Sequence, residues 1–345
     1  MAGHEAPPFW YEAPGWQTYV LAPASLIYGA VAGFRMDHHR PPTVDAPVLC
    51  IGNLTVGGSG KTPTAIAFAE TARQAGYKPG FLTRGYGGSL ATTHSVDPEH
   101  DSARTVGDEP LLLARAAPTM VARNRAQGAT ELVAAGIDFI IMDDGFQSRG
   151  VHYDYALIAV DSRRGIGNGA VIPAGPLRAP MVLQMRHADA VLRVGNGDAA
   201  DPVVRAAARA AKPVYLAELV SREPETVLGR PLLAYAGIGD PEKFFDGLRA
   251  LGREIPETRG FADHHEFTED DASALLEAAT AAGLQLVTTE KDFVRLDRSE
   301  GPLAELQRST RPVGVDLRFE SPTDMAVIIE RVVARFEERR IFGGR

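Results

Sequence analysis

Eight consecutive residues, Thr55-Val56-Gly57-Gly58-Ser59-Gly60-Lys61-Thr62, hold the clearest chemistry in the chain. In such a loop glycines turn successive backbone N–H groups inward on a polyphosphate, and the helix N-terminus that follows adds partial positive charge. A lysine there reaches the outer phosphates, and a threonine hydroxyl can hold Mg²⁺. The first position of the pattern is ordinarily glycine; here it is Thr55. A second group, Asp143-Asp144-Gly145-Phe146-Gln147, follows the apolar run 137–142. An aspartate at the C-terminal end of an apolar strand is what a nucleotide-binding sheet uses to address Mg²⁺. Neighbouring side chains on extended backbone point to opposite sides. One aspartate therefore addresses the metal and the other a neighbouring or substrate group, and the sequence leaves open which is which. Loop and acidic turn together imply a nucleoside triphosphate and Mg²⁺.

The elements that must position these groups form an alternating series. Val48-Leu49-Cys50-Ile51 reads as a buried parallel strand and residues 63–75 as a helix, the order a phosphate loop requires. Residues 81–83, 119–122, 137–142, 153–161 and 190–194 read as further strands, with helical patterns at 111–116 and 124–135. Asp108 precedes the 111–116 helix and also reads as its cap. The Gly- and Pro-rich stretches 164–169 and 173–178 read as loops at the same sheet edge, where Arg163, Arg164 and Arg178 are available for phosphates. Residues 196–211 read as a joint. Beyond it, strands at 214–220, 232–236, 284–288 and 313–319 alternate with helices at 241–251 and after the N-cap Thr268. The closing helix at 322–340 can pack back on the first lobe. The expected fold is α/β: a P-loop NTPase-like parallel-sheet lobe at 41–195, a second, smaller α/β lobe at 212–345, and an N-terminal amphipathic helix within 1–40.

From Trp16 to Phe34 there is no charged residue, which approaches the roughly 18 residues of a membrane span. Gln17, Thr18, Pro23, Gly29 and Gly33 spoil it as one. A helix starting near Pro23 places Leu26, Ile27, Ala30, Val31 and Phe34 on one face, with Trp16, Tyr19 and Tyr28 nearby and Arg35, His38, His39 and Arg40 following. Two readings fit this pattern, a helix lying among lipid headgroups and a core helix packed on the first lobe.

Composition narrows the class. A chain of 345 residues, 45% hydrophobic and 23% charged, is ordinary globular protein with room for two cores. A net charge of −8 argues against a general nucleic-acid binder. Cys50 has no disulfide partner, which points to a reducing compartment. Met1-Ala2-Gly3-His4-Glu5 carries no secretory pattern, so the cytosol is expected. No obligate protein partner is indicated.

A GTPase would want Asn-Lys-x-Asp to read its base, and Thr289-Glu290-Lys291-Asp292 has the wrong spacing. A small-molecule kinase needs a group that takes the proton of the attacking hydroxyl, for which Asp108, His264 and His265 are candidates. A P-loop ATPase or GTPase switch, or a metallochaperone, would use water as acceptor instead. A membrane-associated nucleotide binder would have no turnover at all.

One family carries all of these motifs in this order: residues 51–63, Thr83-Arg84-Gly85-Tyr86-Gly87, Gly107-Asp108-Glu109-Pro110, residues 143–147, Pro173-Ala174-Gly175-Pro176-Leu177-Arg178, Phe261-Ala262-Asp263-His264-His265 and residues 289–292. Together they resemble the tetraacyldisaccharide 4′-kinases of lipid A biosynthesis, from about residue 15 to about 335, and that family shares the Thr55 departure. The resemblance implies transfer of the ATP γ-phosphate to the 4′-hydroxyl of a tetraacylated glucosamine disaccharide 1-phosphate. It implies a bilobal enzyme with a strand linker at the cytoplasmic face of the inner membrane of Gram-negative bacteria, which favours the interfacial reading of residues 16–40.

By the same resemblance, Gly57 to Gly60 hold the phosphates, with Thr55 and Ser59 in the same loop. Lys61 neutralises charge, and Thr62 ligates Mg²⁺ with Asp143 or Asp144. Asp108 is the candidate base, paired with His264 across the cleft and made more basic by it, and His265 is a neighbour. Gln147 is a nucleotide contact, and Arg84, Arg123 and Arg178 are candidate substrate contacts. The family pattern has an acidic residue after the arginine of the Pro-Leu-Arg turn, where this chain has Ala179.

Overall fold

The computed structural model describes residues 6–222, 227, 229–296 and 300–342. Residues 1–5, read above for the absence of a secretory pattern, lie outside them. A short 3-10 turn (Pro8–Tyr11) leads into α1 (Trp16–His38), β1 (Val48–Gly52), α2 (Lys61–Gln74), β2 (Pro79–Thr83) and β3 (His94–Ser95). Then come α3 (Ala103–Val106), α4 (Asp108–Ala116), β4 (Thr119–Val121), α5 (Arg125–Ala134), β5 (Phe139–Asp143) and β6 (Tyr155–Asp161). The chain continues through α6 (Met181–His187), β7 (Ala190–Val194), α7 (Asp201–Arg209) and β8 (Val214–Arg222). Next are β9 (Leu232–Ala236), α8 (Pro241–Ala250), β10 (Glu257–Gly260), α9 (Glu269–Ala282) and β11 (Gln285–Thr289). It closes with α10 (Glu290–Phe293), α11 (Gly301–Ser309), β12 (Arg311–Phe319) and α12 (Asp324–Phe342).

Among the described residues these strands form one sheet in the order β10-β9-β11-β12-β8-β7-β6-β1-β5-β2-β4-β3. Neighbours are parallel except at β12–β8 and β3–β4. The apolar strands are buried on both faces, as parallel strands under helices must be. Leu49 and Ile51 of β1, Phe139 and Ile141 of β5, and Leu157 and Ala159 of β6 pack with Phe68 of α2 and Ile328, Ile329 and Val332 of α12. The alternate residues, Val48, Cys50, Ile140, Met142 and Ile158, pack with Leu132 of α5, Met185 of α6 and Val203 of α7. The closing helix α12 thus covers the first half of the sheet. In the second half Leu233 and Tyr235 meet α9 and α11, while Leu232 and Ala234 meet α8.

The antiparallel β8–β12 pair decides where the strand ends go. Thr289, the last residue of β11, lies opposite Val313, and Arg222, the last of β8, lies opposite Gly314. The C-terminal ends of β11 and β8, one from each half-sheet, therefore meet at Val313 and Gly314 of β12. Residues 196–211, read as a joint, contain α7, which carries the chain from β7 to the parallel β8 beside it.

Helix α1 starts at Trp16, seven residues before the start expected at Pro23, which sits inside it. Its buried positions are Thr18, Ser25, Gly29, Gly33 and Met36. Its large apolar side chains point to solvent: Leu26 is 74% exposed, Ile27 69% and Phe34 64%. The expected apolar face exists, and it faces away from the protein. Small residues form the packed face because α6 lies close: a Cβ on Gly33 would overlap Leu183, and one on Gly29 would touch Pro180.

That orientation makes two opposite expectations. Gly33→Val must displace the Leu183 side chain from between α1 and α6 and should cost about 1–3 kcal/mol in urea unfolding. Phe34→Asp, one residue on, should change stability by less than about 0.5 kcal/mol. Equal costs would mean that the helix is turned the other way.

Candidate active site

The loop between β1 and α2 has the conformation its glycines suggest. Gly57 and Gly60 hold φ of +109° and +81°, the left-handed region that residues with a Cβ avoid. Gly60 caps α2, its carbonyl accepting from the Thr64 amide at 3.1 Å and the Thr64 hydroxyl at 2.7 Å. Thr55 lies in an antiparallel bridge with Leu177, an extended position where a threonine fits. The Thr55 carbonyl accepts from Arg178 Nε at 3.1 Å, and the Val56 amide donates to the Pro176 carbonyl at 2.9 Å. The Pro-Leu-Arg turn is therefore laced onto the phosphate loop, with Ala179 fully buried beneath it. Gln147 is used in the same way, donating to the Asn53 carbonyl at 2.6 Å and to Gln184 Oε1 at 2.9 Å. Ser59 is buried with its hydroxyl unpaired.

Lys61 is buried, its Nζ 3.8 Å from Asp144 Oδ1, and the Thr62 hydroxyl donates to Asp143 Oδ2 at 3.4 Å. Asp143 is fully buried, with Oδ1 unpaired. Burial, reinforced by Glu109, pushes its carboxyl up from 3.8 to about 7. Burial works against ionisation of Asp144 too, but Lys61, Arg178 and Arg125 outweigh it and hold that carboxyl below its usual value. Asp144 adopts φ +55° and takes a contact from Arg178 Nη1 at 3.2 Å. Of the arginines singled out, Arg84 and Arg123 are exposed. The arginine buried here is one not singled out, Arg125, whose Nη1 and Nη2 donate to the Leu82 and Asp144 carbonyls at 3.3 and 3.0 Å. Nothing in the local pattern separates Arg125 from Arg123; its burial comes from its place in the first turn of α5, against β2 and the acidic turn.

The opposite wall is assembled from both halves of the sheet. Asp108 and Glu109 open α4; Lys291 lies in α10, and Arg295 in the 3-10 turn Val294–Leu296 that follows β11. Arg295 Nε donates to Asp108 Oδ2 at 3.0 Å, and its Nη2 also contacts that oxygen. Lys291 Nζ is 2.9 Å from Glu109 Oε1 and 4.0 Å from Asp108 Oδ2. His264, at φ +58°, brings Nδ1 to 3.4 Å from Asp108 Oδ2.

Burial disfavours the Asp108 anion, but the Lys291 ammonium, the contact with His264 and the Arg295 guanidinium outweigh it and hold the carboxyl far below the carboxylate range. This corrects the expectation of a raised basicity: Lys291, quoted above only as part of a motif, and Arg295, which no motif contains, lower it. His265 bonds Asp271 at 2.9 Å and stacks on Phe261, so it belongs to the cap of α9. Arg163 and Arg164 also span the cleft, to Asp246 at 3.4 Å and to the Gly239 carbonyl at 2.5 Å, with the Arg164 guanidinium over Tyr11.

A family model described as LpxK, tetraacyldisaccharide-1-P 4′-kinase, matches residues 17–334. A tetraacyldisaccharide 4′-kinase of Rhizobium meliloti (strain 1021) is 54% identical over 337 residues, 98% of this chain and 97% of that protein. One of Brucella suis is 52% identical over 335 residues, 97% of this chain and 98% of that protein. The crystal structure of Aquifex aeolicus LpxK in complex with ATP aligns with a TM-score of 0.70 at 24% identity, over 91% of this chain and 99% of that one, a likeness of fold.

The Asp143 shift has a consequence for stability. A carboxyl with its folded value raised from 3.8 to about 7 stabilises the fold below the lower value and loses that contribution as pH rises through the upper one. Protein kept in chelator should therefore lose up to about 1.4 kcal/mol per pH unit across that window from this group. Urea midpoints of Asp143→Asn should show a flatter slope than those of the parent, and equal slopes would contradict the assignment.

Proposed function

The chain belongs to the tetraacyldisaccharide 4′-kinase family, and from that premise we propose how its residues carry the γ-phosphate of ATP to the 4′-hydroxyl of a tetraacyldisaccharide 1-phosphate. The observation that carries the proposal is the pairing of buried Lys61 and Asp143 and half-buried Thr62 with an Asp108–His264 pair at facing strand edges. The backbone N–H groups of 57–60 cradle the phosphates, and Lys61 offsets charge on the β- and γ-oxygens. The 4′-oxygen bonds to the γ-phosphorus as the bond to the β–γ bridging oxygen breaks; ADP leaves, and the hydroxyl proton passes to Asp108. Phosphoryl transfer goes through a loose transition state in which positioning and charge neutralisation outweigh base strength, so an aspartate of low basicity suffices.

The donor set fits Mg²⁺, a hard cation that takes oxygen ligands and shares them with phosphates. Asp143 has an unpaired buried oxygen and lies within reach of the Thr62 hydroxyl. We assign Thr62 and Asp143 as its protein ligands, while Asp144, engaged by Arg178 and Lys61, orients the loop. Bound there, Mg²⁺ neutralises phosphate charge. Gln147 and Arg178 support the loop from beneath, and Arg84 and Arg123, exposed beside the cleft, are left for the disaccharide headgroup. The first lobe, 41–195 with α12 packed on it, and the second, from β9 to α11, close on the two substrates.

The exposed apolar face of α1, followed by Arg35, His38, His39 and Arg40, seats the enzyme among headgroups at the cytoplasmic face of the inner membrane. The acyl chains then stay in the bilayer while the sugar reaches the cleft.

With γ-labelled ATP, Mg²⁺ and the tetraacyl disaccharide 1-phosphate in detergent micelles, label should move to the lipid on a thin-layer plate, and Lys61→Ala should abolish the transfer. Label released only as free phosphate would make water the acceptor and overturn the proposal. Leu26→Asp with Phe34→Asp should weaken flotation with anionic phospholipid vesicles by about tenfold or more while transfer in micelles persists. Undiminished flotation would remove α1 as the anchor.

A further inference from the structure

Arg295 stands between the two members of the proton-accepting pair. Its Nε donates to Asp108 Oδ2 at 3.0 Å, its Nη2 contacts the same oxygen, and that Nη2 also lies 3.1 Å from His264 Nδ1. The other end of the guanidinium is anchored: Nη1 donates to Asp292 Oδ1 at 2.8 Å and to the Gly237 carbonyl at 2.9 Å. Asp292 is itself fixed, accepting from the Gly237 amide at 3.0 Å and the Thr289 hydroxyl at 2.7 Å.

A guanidinium has donors only. His264 Nδ1 therefore presents its lone pair to Arg295, and the imidazole proton is on Nε2, 3.9 Å from Asp263 Oδ1. The 3.4 Å approach of Asp108 Oδ2 to His264 Nδ1 then joins two acceptors. Arg295 bridges them, bonded to both.

We infer that Arg295 is a positioning residue for the transfer, keeping Asp108 ionised and fixing the Nε2–H tautomer of His264 from across the cleft. This rests on the reading of Asp108 as the proton acceptor. The charged groups facing Asp108 are Glu109 beside it on α4, Lys291 from α10, Arg295 from the turn after β11, and His264 with Asp263 from the loop after β10. Losing Arg295 removes one of two cations while burial and Glu109 remain, so Asp108 takes up a proton at higher pH. A protonated Asp108 cannot accept the hydroxyl proton, so activity must fail earlier as pH is lowered.

The test is the pH profile of kcat and of the lipid KM for the parent, Arg295→Gln, Arg295→Lys and Asp108→Asn. For Arg295→Gln, kcat should fall at least about tenfold, the acid limb should move up by about one pH unit or more, and KM should change by less than about threefold. Arg295→Lys should recover part of both effects. An acid limb that does not move, or an effect confined to KM, would overturn the inference. Parent-like kcat in Asp108→Asn would instead remove the base reading on which it rests. A readout on the unmutated protein covers a variant that fails to fold: ¹⁵N shifts of His264 should place its proton on Nε2, and a proton on Nδ1 would overturn the inference.

Discussion

One antiparallel pairing governs the rest of this structure. Parallel strands under helices bring their C-terminal ends to a single edge, and chemistry collects there. Here β8 and β12 run in opposite directions in the middle of the sheet, so a second set of parallel strands points its C-terminal edge back at the first. The phosphate loop, the acidic turn and Asp108 come from one set; His264, Lys291 and Arg295 come from the other. Neither set holds a complete site. The cleft exists because β12 serves both: Val313 is packed in the second half and Phe319 in the first.

The cleft's charges compensate one another, and this explains why so many can be buried. Removing an ion from water costs several kcal/mol unless partners and hydrogen bonds replace the solvent. Asp108 and Asp292 meet that cost through Arg295, and Glu109 through Lys291. Burial still pushes the Asp292 carboxyl up, and Asp144 Oδ1 also lacks a hydrogen bond, but Asp143 stands apart among the described residues: its Oδ1 is unpaired, no ion pair holds it, and its carboxyl is pushed up to about 7. A carboxylate left short of a cation inside an otherwise paired network marks where a cation would be accommodated.

Much of this was legible in the chain because it is local. Gly57, Gly60, Lys61 and Thr62 act through the turn they form, and the strand before Asp143 shows as an uninterrupted apolar run. The strands β1, β7 and β9 begin where their apolar residues begin. What escaped the sequence depends on residues far apart in it. Arg295 acts on Asp108 across 187 positions, and no spacing announces that pair. The two-residue β3 and the half-exposed β10 carry no apolar run that periodicity could detect. Helix α7 was hidden in what read as a joint, because an alanine-rich amphipathic crossover shows few large apolar residues. In α1 the face was legible and its direction was not: Gly29 and Gly33 point inward, where Pro180 and Leu183 at the start of α6 lie close.

In the proposed transfer Asp108 and His264, from opposite halves of the sheet, act as one unit on the attacking hydroxyl. A double-mutant cycle on kcat with Asp108→Asn, His264→Gln and the double variant measures this directly. Residues that act as a unit lose their contribution together, so the double variant should be little slower than the more damaging single one. Losses that multiply would show two independent residues and contradict the account.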